Sequence, residues 1–214
     1  MYTHRYRFAA FDMDGTLLDS MRYWRNAAED YLHAHGLHEE AVRLQDQLRK
    51  MGCISGLNFI REICEAAGIE PMTRDQLYES LEYHYTTDVL PKPGALAFLR
   101  ELQQHKVPMC IVSATPRYLI EAALKHANMY DYFDFILSTD DYPRGKSDRA
   151  IFDDVCTRFG SKPEDTALVE DALYSIRTAK ALGFYCIGIA DPYAAHHETE
   201  IRALTDEFYS VYPF

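Results

Sequence analysis

The apolar positions of the chain fall into two rhythms. Phe8-Ala9-Ala10-Phe11 is a short continuous apolar run bounded by polar residues, the pattern of a strand covered on both faces, and it predicts a strand in the middle of a sheet. From Ser20 the spacing changes to three and four. Tyr23, Trp24, Ala27, Ala28, Tyr31 and Leu32 recur at helical intervals until Gly36 stops them. Two further helices are predicted over about 39–51 and 57–67, the second closed by Gly68 and Pro71. Thr73-Arg74-Asp75-Gln76 reads as a capping box, and the helix it opens carries Leu77, Leu81 and Tyr85 toward Val89.

Pro91, Pro93 and Gly94 form a stiff punctuation after which helix and strand patterns alternate. Helices are predicted over about 95–105, 148–159 and 175–183, and strands over about 109–112, 133–137, 167–169 and 185–189. Thr115-Pro116 predicts a helix start with Thr115 as the cap and Pro116 at the first helical position, the helix running to about Asn128. Ser161-Lys162-Pro163-Glu164 suits a short helical turn, and 208–211 an edge strand. Repeated βα units imply an α/β fold: a Rossmann-like, doubly wound parallel sheet core with an inserted all-α, four-helix cap domain. The boundaries expected are 1–18 with 91–214 for the core and 19–90 for the insert.

Composition narrows the partners. Acidic residues outnumber basic ones 33 to 22, for a formal charge of −11, which argues against nucleic acid and anionic membranes. The 214 residues are 48% hydrophobic, enough for a buried core, and no stretch approaches the ~20 apolar residues of a membrane span. Cys53, Cys64, Cys110, Cys156 and Cys186 are odd in number and lack Cys-x-x-Cys spacing, so neither a disulfide framework nor a structural zinc site is supported. The expectation is a cytoplasmic monomer acting on a small molecule.

Candidate chemistry gathers where the apolar runs stop. Phe8–Phe11 ends on Asp12-Met13-Asp14-Gly15-Thr16, and residues two apart on an extended chain share a face. Two carboxylates that close repel by roughly 4 kcal/mol at an effective dielectric near 20, so they need a cation or a shared proton. Parallel sheets place their sites at the carboxyl ends of strands. The polar residues after the other runs are Ser113 and Ala114, then Glu170 and Asp171. Carboxylates from separate strands suit a hard cation such as Mg²⁺. Ser113 offers a hydroxyl and neighbouring N–H groups to an anion, and Lys146, after Gly145 in a loop, offers a positive charge. Together these residue types describe phosphoryl transfer.

Asp12-x-Asp14-Gly15-Thr16, Ser113, Lys146 and Glu170-Asp171 resemble the four motifs of the haloacid dehalogenase superfamily, over nearly the whole chain. The helical insert resembles the cap of its phosphatase and β-phosphoglucomutase-like branch. The resemblance implies that Asp12 attacks phosphorus to form an aspartyl-phosphate, and that Asp14 protonates the leaving oxygen and then activates water. It also implies Mg²⁺ bound by Asp12, the Asp14 carbonyl and Asp171, with Glu170 acting directly or through water. Ser113, Ala114, Lys146 and Thr16 would contact the phosphate, and Tyr23 and Trp24 are candidates for lining the substrate pocket. Two positions depart from the pattern: Ser147 stands where proline is common and Ser175 where glycine is common.

Other features weigh less. Gly145-Lys146-Ser147 mimics the tail of a phosphate-binding P-loop, but the earlier glycine position holds Asp140. His33, His35 and His38 have mixed spacing and read as surface residues, not zinc ligands. Arg49, Lys50 and a turn over 51–56 are a candidate specificity surface of the insert. The function expected is Mg²⁺-dependent hydrolysis of a small phosphomonoester, such as a sugar phosphate or a phosphoglycolate-like ester. The alternatives are a β-phosphoglucomutase-like phosphosugar mutase and a non-catalytic phosphometabolite sensor.

Overall fold

A computed structural model describes residues 5–48, 51 and 53–213 of the chain. They divide into two compact units, one formed by 20–88 and the other by 1–19 together with 89–214. The first unit holds four helices among the described residues: α1 (Met21–Ala34), α2 (His38–Leu48), α3 (Cys53–Ala66) and α4 (Arg74–Thr87). Their apolar stripes supply its core, including Ala28 and Leu32 of α1, Leu44 of α2, Ile60 of α3, and Leu77, Leu81 and Tyr85 of α4. Gly56 of α3 faces α1, and a Cβ added there would meet the Ala28 Cβ at 3.5 Å, an ordinary van der Waals contact. Thr73 caps α4 in the predicted capping box, its hydroxyl accepting from the Gln76 N–H while the Gln76 side chain accepts from the Thr73 N–H.

Three expectations in this unit change. Residues 53–56 are the first turn of α3 and not part of an interhelical turn, while Arg49, Lys50 and Gly52 lie outside the described residues. Met51 lies outside α2, whose described residues are His38–Leu48. Val89 lies beyond α4, which closes at Asp88. The backbone that follows is extended instead, with the Asp19 N–H on the Leu90 carbonyl at 2.9 Å and a bridge between Leu18 and Pro91.

The second unit is a sheet with helices packed on it. In chain order it contains β1 (Phe8–Phe11), α5 (Ala95–Gln104), β2 (Met109–Ser113), α6 (Arg117–His126), β3 (Phe135–Ser138), α7 (Arg149–Phe159), β4 (Thr166–Glu170), α8 (Leu173–Leu182), β5 (Tyr185–Ile189), α9 (Glu198–Leu204) and β6 (Glu207–Tyr209). The six strands are all parallel in the order β3-β2-β1-β4-β5-β6, so β1 is central as its unbroken apolar run predicts. Successive connections run outward from β1 in both directions, which makes the carboxyl ends of β1 and β4 the topological switch point. Ala10, Cys110, Val112, Leu168 and Cys186 pack with Phe152, Val155, Ile176 and Phe184 on one face. On the other, Phe11 meets Phe98 of α5 edge to face at 6.1 Å.

Three further boundaries and one helix differ from the sequence reading. Pro116 is itself the N-cap of α6, because the Thr115 side chain is engaged elsewhere. Strand β3 begins at Phe135, after a 3-10 turn over Tyr130–Tyr132 that leaves Phe133 outside it. The edge strand is Glu207–Tyr209, ending before Val211. Helix α9 was not foreseen: its seven residues, Glu198–Leu204, include one buried side chain, Ile201, too little for a periodic signal.

Gly188 fixes how this edge packs. A Cβ built there would meet Phe208 at 2.8 Å, Ile201 at 2.9 Å and Thr205 at 3.2 Å, so β6 and α9 close on β5 only because no side chain intervenes. Gly188→Ala is expected to lower the unfolding free energy by about 1–3 kcal/mol, the usual range for overpacking. Denaturant unfolding of the two proteins checks this, and an unchanged midpoint contradicts it.

Candidate active site at the carboxyl ends of the strands

Strand β1 delivers Asp12 to the switch point, where its N–H bonds to the Val169 carbonyl of β4 at 3.0 Å. Its carboxylate is buried. The chain then turns tightly: Gly15 adopts φ +82°, the Leu17 and Leu18 N–H groups return to the Met13 carbonyl, and the Gly15 N–H bonds to the Leu18 carbonyl at 3.0 Å. That left-handed conformation is why a glycine follows the second carboxylate. Asp14 therefore leaves the sheet less buried than Asp12 and accepts a 2.6 Å hydrogen bond from the Thr115 hydroxyl.

Lys146, on a 3-10 turn over Gly145–Ser147, is 3% exposed and donates to Asp12 Oδ1 at 2.6 Å and to Glu170 Oε2 at 2.7 Å. The other oxygen of Glu170, Oε1, accepts from the Asp171 and Ala172 N–H groups at 3.1 and 3.0 Å, just ahead of α8. Asp171 accepts at Oδ1 from the Thr16 hydroxyl at 3.2 Å. Oxygens of Asp12, Glu170 and Asp171 all lie within 4.8 Å of one another, the one such acidic group among the described residues. Ser113 ends β2, its Oγ accepting from the Thr115 N–H at 3.2 Å, and Ala114 beside it is exposed.

The electrostatics are unbalanced. Three buried carboxylates face one ammonium, and Asp12 Oδ2 is buried with no hydrogen-bond partner among the described residues. Burial pushes the Asp12 carboxyl up to about 7, reinforced by repulsion from Glu170 and opposed by Lys146. Burial, then Glu170 and Asp12, hold the Asp171 carboxyl well above its usual range. Burial alone would lower Lys146, but the Asp12 and Glu170 carboxylates outweigh it and keep the ammonium charged. An orphaned carboxylate oxygen beside a second, under-compensated carboxylate is the donor set of a hard divalent cation. Glu170, with both oxygens already engaged, is built to hold Lys146 and the start of α8.

Asp12, Lys146, Glu170 and Asp171 thus come together. Thr16 joins them: it is fully buried, and its hydroxyl donates to Asp171. Tyr23 and Trp24 belong to the helical unit. There Tyr23 stacks on His84 at 4.1 Å and the Trp24 indole N–H donates to the Tyr85 hydroxyl at 2.9 Å. Ser147 is exposed, whereas Ser175 is buried in α8 with its hydroxyl unpaired among the described residues. His33 and His38 face each other at 3.0 Å between their Nδ1 atoms, without a third ligand among the described residues.

Sequence reasoning missed three groups. Thr115 reads as a helix cap and acts on Asp14 instead; its place two residues after Ser113 was the available signal. Asp191, at the end of β5, accepts from the Lys92 ammonium at 2.8 Å, which also donates to the Ala190 carbonyl. Tyr212 donates to the Thr16 carbonyl at 3.1 Å, across 196 positions of sequence.

The profile of the haloacid dehalogenase-like hydrolases matches residues 6–183. Over 211 residues the chain is 26% identical to validoxylamine A 7'-phosphate phosphatase of Streptomyces hygroscopicus subsp. limoneus, covering 96% of both chains. Over 141 residues it is 30% identical to a phosphoglycolate phosphatase of Rhodobacter capsulatus, covering 64% of this chain and 63% of the other. The fold is that of CbbY from Rhodobacter sphaeroides, solved with phosphate, at a TM-score of 0.72 and 21% identity over 96% of this chain and 94% of that one. Among the described residues no helix is long and apolar enough to cross a membrane.

The charge imbalance sets a pH dependence. Asp12 holds its proton more tightly folded, near 7, than as a free carboxyl at 3.8. A raised carboxyl contributes stability below the free value and loses it as pH climbs through the folded value, so the metal-free protein weakens between about pH 4 and pH 7 on this account. A cation that binds the ionised cluster offsets the loss. Thermal melts are expected to show a Mg²⁺-induced rise in Tm that grows as pH increases across this window and shrinks in Asp12→Asn. An equal rise at both ends contradicts the assignment.

Proposed function

The chain belongs to the haloacid dehalogenase-like hydrolases, and we propose that within this family it hydrolyses a small phosphomonoester, with Asp12 as nucleophile and Asp14 as acid and base. The observation that carries the reading is the pairing of a buried carboxylate, one oxygen of which has no hydrogen-bond partner among the described residues, with a second, less buried carboxylate held by the Thr115 hydroxyl. Displacing halide needs no acid to protonate the leaving group. Expelling an alkoxide does. The phosphate esters named for the similar phosphatases support the same choice.

In the proposed reaction an Asp12 oxygen attacks phosphorus and the bond to the ester oxygen breaks, while Asp14 gives that oxygen its proton. Asp14 then takes a proton from water, whose oxygen attacks the aspartyl-phosphate. Inorganic phosphate leaves and the Asp12 carboxylate is restored. Lys146 orients Asp12 through its 2.6 Å contact, and Thr115 holds Asp14 at the strand end. The Ser113 hydroxyl and the backbone N–H of the exposed Ala114 are the groups proposed to hold the phosphoryl oxygens. Mg²⁺, held by Asp12, the Asp14 carbonyl and Asp171, would neutralise charge that develops on the phosphoryl group when bound.

Hydrolysis of a generic aryl phosphate is expected to require Mg²⁺ and to vanish in Asp12→Asn. In Asp14→Asn kcat is expected to fall by about 100- to 10,000-fold, the usual scale of general acid–base catalysis. Assays of released phosphate across phosphosugars, glycolate phosphate and nucleotides then rank the substrates. Undiminished turnover in Asp12→Asn contradicts the reading.

A further inference from the structure

The last turn of the chain reaches back to the acidic cluster. After β6 the chain brings Tyr212 inward, leaving it 4% exposed although its neighbour Val211 is 62% exposed. Its ring packs on Phe98 at 5.2 Å, and Phe98 in turn meets Phe11, the residue before Asp12. Its hydroxyl donates to the Thr16 carbonyl, and the Thr16 hydroxyl donates to Asp171 Oδ1. Two hydrogen bonds through a single residue therefore join the carboxyl-terminal tail to a carboxylate of the cluster.

A buried phenol is tolerated when its hydroxyl finds a partner, and here the partner is the turn between Asp14 and Leu18. That turn is otherwise fastened by its own backbone hydrogen bonds and by the Lys92 N–H on the Leu17 carbonyl at 2.8 Å. The Tyr212 bond adds a side-chain anchor on the Thr16 carbonyl itself, holding the backbone from which the Thr16 hydroxyl reaches Asp171. Burial, with the Asp12 and Asp171 charges adding to it, holds the phenol well above its ordinary range, so it remains a donor at neutral pH.

We propose that Tyr212 is a positioning residue for the cation site: through Thr16 it fixes the Asp171 carboxylate, so the carboxyl-terminal tail sets the affinity for the divalent ion. The inference rests on the reading of Asp12 and Asp171 as cation ligands. Outer groups that orient a ligand commonly change metal affinity by about 10- to 100-fold.

The test measures Mn²⁺ binding by the electron paramagnetic resonance of the free ion, with Mg²⁺ as competitor, on the full chain. Tyr212→Phe is expected to weaken binding about 10-fold, and in turnover the change should fall on KM for the metal more than on kcat. In a Thr16→Val background, Tyr212→Phe should add nothing further. Tyr209→Phe is the control: it removes a hydroxyl from the same tail, one that donates to Glu207, and should leave metal affinity unchanged. Wild-type affinity in Tyr212→Phe, or an equal loss in Tyr209→Phe, overturns the proposal alone. Failure of the wild-type chain to bind metal, or unaltered binding in Asp171→Asn, overturns the cation reading and this proposal with it.

Discussion

The second unit is organised around an unresolved charge. Lys146 lies between Asp12 and Glu170 at the carboxyl ends of the central strands, and Asp171 stands beside them with no ion pair of its own among the described residues. Burying ionised groups is costly, and removing one partner of such a pair typically costs about 3–5 kcal/mol because the other charge is stranded. The arrangement is therefore held from several directions. Hydrogen bonds from the Asp171 and Ala172 N–H groups fix Glu170, Thr16 fixes Asp171, and the Val169 carbonyl anchors the Asp12 backbone. What these contacts leave over is Asp12 Oδ2, a buried acceptor with no partner among the described residues.

The sheet explains why these groups meet. In the order β3-β2-β1-β4-β5-β6 the two strands that carry carboxylates, β1 and β4, are neighbours at the switch point, and β2 with Ser113 lies on the other side of β1. Segments far away in sequence brace the same end. Lys92 ties the returning chain to Asp191 after β5, and Tyr212 ties the tail to Thr16. The close packing allowed by Gly188 sets the edge from which that tail departs. Stability and site geometry thus depend on the same contacts.

The parts legible in the sequence were those with local causes. The abrupt stop of an apolar run on Asp12 marked both the central strand and the end at which the acidic cluster gathers, and the capping box at Thr73 marked the start of α4. The carboxylates and Lys146 were legible because each directly follows an apolar run or stands in a short glycine-containing turn. Thr115 was misread because a threonine before proline is an equally good local helix cap, and only the fold brings Asp14 within its reach. Thr16 offered no local sign that its hydroxyl would turn inward to Asp171. Tyr212 carries no motif at all, since its partner is 196 residues away. Helix α9 and the helical start of α3 were missed for weak or interrupted periodicity, the latter by Gly56.

The account turns on a covalent role for Asp12, the carboxylate whose buried second oxygen has no hydrogen-bond partner among the described residues. The most direct measurement is mass spectrometry of the protein quenched in acid during turnover of an aryl phosphate, followed by proteolysis. The account predicts one added phosphoryl group on the peptide that carries Asp12, labile to hydroxylamine as an acyl phosphate is. Steady release of phosphate with that peptide unmodified, or with the phosphoryl group on another residue, would contradict it.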